Sequence, residues 1–363
     1  MSRRLATALA GAAVALALAF RFGPAALFTT ALALPATEAI LGALARSPVR
    51  EEVTLPGDGG RLVADLYRPP APRAGLVLVH GLSPAGRRHP ELARLARLLA
   101  RHGHLVLVPD FEGLRAFRLT GHEEGEIRAA LREVERRAGR GGVAGFSFGA
   151  GPALLAAADY PRLRVAGSFG GYADLRHVIT YITTGVHGFG GRRYVFRQEE
   201  YNRWKLLALL VAFVQEERDR GLLEAIAGRK LANPADATDA LEAALGGEGR
   251  DVLALVVNRR EETVAPLLAR LSPRTRAALD RLSPLPAAAR LSGRLLVAHG
   301  VGDDSIPFTE SLRLVEAAGG RARVAILETF HHTGPRPLWD SLRHGGADGW
   351  RLFRLADDLL SRP

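Results

Sequence analysis

The stretch Gly142-Val143-Ala144-Gly145-Phe146-Ser147-Phe148-Gly149 decides the fold of this 363-residue chain. It is a short run of small and apolar residues that ends in a serine between two glycines. A small-residue helical pattern follows, from Phe148 to Asp159. An uninterrupted run of this length is typical of a strand that is buried on both faces of a parallel sheet. The stretch therefore predicts a buried strand, a tight turn at Ser147 and a helix.

Similar strand and helix patterns alternate on both sides of this stretch. A hairpin comes first, since two alternating runs flank the turn Gly57-Asp58-Gly59-Gly60. The predicted strands are Glu51–Leu55, Arg61–Tyr67, Gly75–Val79, His104–Val108, Gly142–Phe146, Leu163–Phe169, Arg294–Ala298 and Arg323–Leu327. The predicted helices between and after them include Glu91–Arg101, Glu123–Arg137 and about Trp339–Leu360. This alternation predicts an α/β protein with a doubly wound, mostly parallel sheet.

The alternation stops between residues 173 and 291. This part is polar and helical, with helices expected at Tyr201–Gln215 and Thr238–Leu245. Because strand patterns return after it, we expect an insertion in the sheet domain and not a separate domain. The expected organisation is an α/β core at 49–172 and 292–363, with a helical cap at 173–291 above the sheet.

The charge pattern argues against binding to nucleic acid. The chain has 49 Lys and Arg against 38 Asp and Glu, a formal net charge of +11. The arginines are scattered among acidic residues, whereas a nucleic-acid surface needs a basic tract with aromatic residues between the charges. The chain has no cysteine, so disulfides and thiolate metal sites are excluded.

Residues 1–48 form a segment with a different character. Arg3-Arg4 precede an apolar run from Leu5 to Phe20, Arg21 interrupts it, and a second apolar stretch covers Phe22–Ala45. A basic start and an apolar body are typical of a signal peptide or a signal anchor. We expect a membrane-associated or exported protein, and the alternative is a buried N-terminal helix of a soluble protein. Cleavage, a single span and a helical pair are all open, and so is the side of the membrane.

Ser147 is the expected nucleophile. A serine hydroxyl becomes reactive when a tight turn holds it beside a base, and a strand–turn–helix elbow with flanking glycines provides that turn. The backbone N–H groups of Phe148 and Leu82 are expected to form an oxyanion hole, with Leu82 on the loop that begins at His80-Gly81. His80 is expected to hold this loop. The alternative is a glycine-rich turn with an incidental serine.

An acid and a base are expected after two later strands. Asp303 follows Arg294–Ala298, where a carboxylate can orient an imidazole. Asp304 is the neighbouring alternative and would otherwise cap the next helix or face solvent. Asp174, after the fourth buried strand, is a further alternative.

The expected base lies on the loop after the strand Arg323–Leu327. We prefer His332, with His331 as the alternative or as a wall residue beside it. The order along the chain is then serine, aspartate, histidine, each at the end of a strand.

The sequence resembles the α/β-hydrolase superfamily from near Glu51 to the final helix. The matching pieces are His80-Gly81, Pro109-Asp110, Gly145-Phe146-Ser147-Phe148-Gly149, the segment 300–307 and His332. The resemblance implies an α/β-hydrolase fold with the cap inserted before the Asp-bearing strand. Haloalkane dehalogenases and epoxide hydrolases resemble this fold but use a carboxylate at the elbow, so the serine argues against both.

The implied activity is that of a serine hydrolase that cleaves a carboxylic ester or related acyl compound through an acyl-enzyme. It needs no metal and no organic cofactor. The expected partners are a small acyl substrate, with a hydrophobic one as a candidate, and a membrane. An acyltransferase or peptidase on the same fold is one alternative. A non-catalytic, membrane-tethered binding module is another, because fold alone does not determine function.

Overall fold

A computed structural model describes residues 3–38, 47–57, 60–328 and 338–360. Its strands lie close to the positions that the sequence predicts. They are β1 (Val49–Gly57), β2 (Gly60–Arg68), β3 (Ala74–Val79), β4 (His104–Pro109), β5 (Gly141–Phe146), β6 (Leu163–Phe169), β7 (Val186–Phe189), β8 (Arg192–Val195), β9 (Arg294–Gly300) and β10 (Ala322–Leu327).

The helices of the core flank the sheet, and a group of further helices lies between β6 and β9. The core helices are α1 (Arg3–Ala33), α2 (Pro90–Arg101), α3 (Glu112–Arg115), α4 (Glu123–Ala138), α5 (Ala150–Ala157), α14 (Phe308–Ala318) and α15 (Leu338–Leu360). The helices between β6 and β9 are α6 (Leu175–Thr184), α7 (Glu200–Val211), α8 (Glu217–Ala232), α9 (Asp239–Ala243), α10 (Gly247–Val257), α11 (Glu261–Arg270), α12 (Pro273–Arg281) and α13 (Leu285–Ala289).

Eight strands form one sheet in the order β1-β2-β4-β3-β5-β6-β9-β10. β2 pairs antiparallel with both β1 and β4. The pairs from β4 through β3, β5, β6 and β9 to β10 are all parallel. The expected mostly parallel, doubly wound α/β sheet is therefore confirmed. The carboxyl ends of the parallel strands share one edge, so the loops after β3, β5, β6 and β9 meet there.

The strand sequences explain why helices cover both faces of the sheet. All six residues of β3 and of β4 are buried. Alternate side chains point to opposite faces, so Val77 and Val79 pack with α4 and α5, while Leu76 and Leu78 pack with α1, α2 and α15. Continuous apolar runs of this kind are stable only where both faces are covered.

The segment between β6 and β9 is not wholly helical as expected, because it contains the hairpin β7–β8. Phe189 pairs with Arg192, which leaves Gly190 and Gly191 as the turn. Both glycines have a positive φ, as a two-residue hairpin turn requires. His187 of β7 stacks on Tyr194 of β8 with ring centroids 5.0 Å apart. A glycine pair between two four-residue strands was the available signal for this hairpin.

The two N-terminal apolar stretches form one helix where they meet. α1 continues through Arg21 and contains Pro24 inside it. One helix long and apolar enough to cross a membrane, Gly11–Ala33, is found among the described residues. Residues 39–46, at the end of the second stretch, lie outside the described residues.

Burial of His104 at the start of β4 predicts a pH dependence of stability. Burial lowers the pKa of His104 to about 3, against an ordinary value of about 6.5 in an unfolded chain. The unfolded chain therefore takes up the proton first, so this contribution is full above about pH 6.5 and is lost as the pH falls towards 3. In the wild type, this residue should make the unfolding free energy about 2 kcal/mol lower at about pH 5 than at about pH 7. We expect His104→Leu to remove this part of the pH dependence. Urea denaturation at the two pH values measures it. The exposed His122 offers a control, because His122→Leu should leave the difference unchanged.

Candidate active site

Ser147 occupies a strained turn between β5 and α5. Its φ is +50°, a left-handed conformation that residues with a side chain rarely adopt. The serine directly follows Phe146, the last residue of β5, and begins a short 3₁₀ turn, Ser147–Gly149, that leads into α5. The turn presents a partly exposed serine at the carboxyl edge of the sheet. This is the geometry of a nucleophile elbow.

The two glycines of the motif are required by close packing around the elbow. A Cβ on Gly145 would lie 2.5 Å from the carbonyl oxygen of Gly149. A Cβ on Gly149 would lie 2.9 Å from the carbonyl carbon of His80 and would overlap the oxygen. The strand, the helix and the loop after β3 can therefore converge only because both positions lack a side chain.

The loop after β3 passes directly beside the serine. A Cβ on Gly81 would lie 3.0 Å from the Cβ of Ser147 and 3.6 Å from its Oγ. Leu82, the predicted oxyanion donor, is the next residue of this loop. Phe148, the other predicted donor, follows Ser147 and is buried against Tyr172. The structure thus brings the backbone at Leu82 and at Phe148 to the neighbourhood of the hydroxyl.

His80 is buried and its ring holds this loop in place. Its Nε2 accepts a hydrogen bond from the N–H of Phe111 at 3.1 Å, so its Nδ1 carries the proton and donates to the carbonyl oxygen of Gly81 at 2.8 Å. Burial lowers the pKa of His80 and favours this neutral form. These contacts join the loop after β3 to the residue that follows Asp110. They agree with the expected supporting role of His80.

A buried arginine ties the far end of the same loop to the hairpin β1–β2. The side chain of Arg87 is 5% exposed and donates to Asp65 of β2 and, at 2.6 Å, to Glu52 of β1. Its backbone N–H donates to Asp110 at 3.3 Å. Sequence reasoning missed Arg87, because the adjacent and exposed Arg88 is indistinguishable from it in sequence.

Asp303 is buried on the loop after β9. Its Oδ1 accepts hydrogen bonds from the N–H groups of Ser305 and Ile306, both at 2.9 Å. Its Oδ2 lies close to Gly170, the residue after β6, since a Cβ added to this glycine would be 3.5 Å from that oxygen. Since β6 lies next to β5, the Asp303 carboxylate lies beside the strand end adjacent to that of Ser147.

Two further side chains, His299 and Tyr181, support the Asp303 loop, and sequence reasoning assigned neither to this role. The Nε2 of His299 donates to the carbonyl oxygen of Ile306 at 2.9 Å and lies 3.5 Å from the Oδ2 of Asp303. The Nδ1 of His299 pairs with the hydroxyl of Ser311 at 2.7 Å. Tyr181 of α6 donates its hydroxyl to the backbone carbonyl of Asp303 at 2.6 Å. The four-residue spacing of His299 and Asp303 was an available signal.

The alternative acids have other contacts. Asp174 is the N-cap of α6, where its Oδ1 accepts from the N–H of Arg176 at 2.8 Å. Asp304 does not cap the next helix, since Pro307 holds that position. Its carboxylate instead accepts from the hydroxyl of Ser305 at 3.2 Å, and its backbone carbonyl accepts from Asn202 of α7 at 3.0 Å.

The predicted base, His332, and its alternative, His331, both lie outside the described residues. The last described residue before them is Glu328, directly after β10. Within the described residues, no three His, Asp or Glu side chains lie close enough together to hold a metal ion.

One antiparallel strand pair leads into six parallel strands, with the elbow after β5 and the loop of Asp303 after β9. This is the arrangement of the α/β-hydrolase fold. The helical insertion lies between β6 and β9, directly before the strand that leads to Asp303.

Comparison with solved structures finds similarity to several hydrolases. An acylaminoacyl peptidase of Pyrococcus horikoshii matches 88% of this chain and 41% of its own, at 13% identity and a TM-score of 0.47. The esterase domain of a Rhodothermus marinus protein matches 84% of this chain and 98% of its own, at 16% identity and a TM-score of 0.45. A 2,6-dihydroxy-pseudo-oxynicotine hydrolase matches 86% of this chain and 68% of its own, at 17% identity and a TM-score of 0.48. No protein-family model and no curated protein sequence matches the chain.

The left-handed conformation of Ser147 predicts an unusual order of stabilities among its variants. Glycine adopts a positive φ without strain, whereas alanine keeps the Cβ that makes this conformation costly. We expect Ser147→Gly to unfold with a free energy about 1 kcal/mol higher than that of Ser147→Ala. Urea denaturation of the two variants measures the difference. Equal stabilities, or a more stable alanine variant, would show that the elbow is not held in this conformation.

Proposed function

We propose that this α/β-hydrolase cleaves a carboxylic ester or a related acyl compound, with Ser147 as nucleophile, His332 as base and Asp303 as acid. The observation that carries the proposal is the strained elbow at Ser147 beside the loop of Leu82. Backbone strain of this kind persists only where the surrounding structure enforces it, and it is concentrated at functional sites.

The position of Asp303 supports its role as the acid. Its Oδ1 is occupied by two backbone N–H groups, and these fix the carboxylate at the edge of the sheet. Hydrogen bonds of this kind favour the charged form of a carboxylate. A fixed negative charge one strand away from the serine suits the stabilisation of an imidazolium between them.

Chain length supports the assignment of the base. In the order β5-β6-β9-β10, the end of β10 lies three strands from the end of β5. With strands about 4.8 Å apart, this distance is about 14 Å. The four residue steps from Glu328 to His332 can extend over up to about 14 Å. The chain is therefore long enough for His332 to serve Ser147, and His331 stays the alternative.

The proposed reaction is a two-step acyl transfer. The Oγ of Ser147 bonds to the carbonyl carbon of the substrate as His332 takes its proton, and the N–H groups of Leu82 and Phe148 stabilise the oxyanion. The carbon–oxygen bond of the ester then breaks, and His332 returns the proton to the leaving alcohol. A water molecule then gives a proton to His332 while its oxygen bonds to the acyl carbon. The bond between this carbon and the Oγ of Ser147 breaks, which releases the acid, and His332 returns the proton to Oγ.

The apolar helix α1 supports a protein that is membrane-associated or exported. We propose that the enzyme is attached through this segment, which agrees with a hydrophobic ester as substrate. Among the aromatic residues of the cap, Tyr181 and Trp204 are buried, whereas Tyr201 is 46% exposed.

A fluorophosphonate probe tests the nucleophile. We expect the probe to label the wild type, and Ser147→Ala to lose both the label and about 10⁶-fold in the rate of p-nitrophenyl ester hydrolysis. An unlabelled wild type with no esterase activity would point to the non-catalytic binding module. Labelling with faster transfer to added alcohols than to water would indicate an acyltransferase, and faster cleavage of acyl peptides than of esters a peptidase.

Two matched asparagine variants test the acid. We expect Asp303→Asn to lower kcat by about 10³–10⁴-fold, because the amide cannot stabilise the imidazolium. Asp174→Asn should keep near wild-type activity, since asparagine caps a helix as well as aspartate does. The reverse order, measured with the same p-nitrophenyl ester, would assign the acid to Asp174.

A further inference from the structure

The N-terminal helix α1 has two halves with opposite surroundings. From Gly11 to Phe22 every residue is exposed, and this part includes Leu16 at 72% and Phe20 at 87% exposure. From residue 25 onward one side of the helix is buried against the core. The change takes place within about one turn, although the helix itself is continuous.

The second half belongs to the folded core. Ala25, Phe28 and Ala31 are at most 5% exposed and pack in the same apolar cluster as α2 and α15. The ring of Phe28 meets that of His102 edge-on at 5.4 Å. Loss of this half would uncover the apolar surfaces of α2 and α15, so its packing is part of what stabilises the core.

Arg94 of α2 binds the C-terminal end of α1. Its guanidinium donates to the carbonyl oxygens of Ala31 at 2.6 Å and Leu32 at 3.3 Å, and it pairs with Glu38. The last carbonyls of a helix have no partner inside the helix, so this contact satisfies groups that would otherwise need water. The chain just after α1 is thereby also fixed to the core.

The first half is apolar on every side. The stretch Gly11–Phe20 consists of glycine, alanine, valine, leucine and phenylalanine alone. A helix that is hydrophobic all round is stable only inside a protein or a membrane. Pairing with a second copy of the chain would cover one stripe and leave the other sides in water. A lipid bilayer covers all sides at once.

The length of this half suits a bilayer. Arginines at 4 and 21 flank the apolar run Leu5–Phe20. Sixteen helical residues extend over about 24 Å, against a hydrocarbon core of about 30 Å. Long basic side chains at both ends accommodate such a difference by reaching to the headgroups.

A patch of aromatic residues lies where the two halves of α1 meet. Trp350 of α15 is 61% exposed and stacks on Phe353 at 5.2 Å, and Phe353 meets Phe22 of α1 at 6.1 Å. Arg21 pairs with Asp357, one turn further along α15. Tryptophan beside basic residues is typical of a membrane interface.

We propose that α1 is a retained anchor that is shared between membrane and enzyme. Its first half, up to Phe20, lies in the bilayer. Its second half, from Ala25, is a structural helix of the hydrolase core, and the patch Phe22–Trp350–Phe353 lies at the headgroups. The core thus rests on the membrane without a flexible linker. This inference rests on the membrane attachment proposed above, but not on the ester chemistry.

Two matched arginine variants of the full-length chain test the division of the helix. Val14 and Leu27 are similarly exposed, at 59% and 49%, but they lie in different halves. We expect Val14→Arg to reduce binding to phosphatidylcholine–phosphatidylglycerol vesicles roughly 100-fold, because a charge must enter the hydrocarbon. Leu27→Arg should float with the vesicles as the wild type does. Equal effects of the two variants, in either direction, would overturn the proposal.

The second half of α1 and the patch Phe22–Trp350–Phe353 are tested by separate measurements. In detergent, Phe28→Ala should lower the midpoint of thermal unfolding by about 10 °C, while Val14→Arg leaves it unchanged. The fluorescence of Trp350 is obtained as the difference between the wild type and Trp350→Phe. Lipids that are brominated near the headgroup should quench this fluorescence. An intact mass that starts after residue 33, a Phe28→Ala variant as stable as the wild type, or an unquenched Trp350 would contradict the proposal.

Hydrolysis of p-nitrophenyl acetate is measured on every variant in detergent. Vesicle binding as expected without hydrolysis would refute the ester chemistry and leave the anchor standing. Hydrolysis by a protein that pairs through α1 and stays out of the vesicles would overturn the anchor alone.

Discussion

Close packing of three backbone segments around Ser147 is the constraint on which the site depends. The end of β5, the start of α5 and the loop after β3 meet at Gly145 and Gly149, where a Cβ would overlap a neighbouring backbone. With both glycines in place, the chain turns sharply enough to force Ser147 to a φ of +50°. The strain is therefore sustained by packing in the core, and removal of the serine hydroxyl would not relieve it.

The same principle applies to the groups around the serine, since each is held by contacts behind it. His80 and Arg87 connect the loop of Leu82 to β1, β2 and the end of β4. His299 and Tyr181 hold the loop of Asp303 from the core and from the cap respectively. A reactive group positioned in this way needs little reorganisation during a reaction, and such preorganisation is an important source of catalysis.

The helical insertion and the N-terminal helix are joined to the core by contacts and not only by chain connections. α6 and α7 of the insertion reach the loop of Asp303 through Tyr181 and Asn202. On the other face of the sheet, α1 completes the apolar layer that α2 and α15 begin. Contacts therefore connect the insertion to the carboxyl edge of the sheet, and α1 to its opposite face.

The sequence by itself determined the sheet and the elbow, because each depends on a local pattern. Alternating runs predicted the first two strands of the main sheet and apolar runs the other six, each to within a few residues, and the glycine–serine–glycine spacing located the turn at Ser147. The hairpin β7–β8 and the pairing of His299 with the loop of Asp303 had local signals in a glycine pair and a four-residue spacing, but only the folded structure showed what they pack against. Tertiary contacts alone decided the continuity of α1 through Arg21 and the burial of Arg87 beside an exposed Arg88. No sequence pattern distinguishes these two arginines, since their partners are distant along the chain and adjacent only after folding.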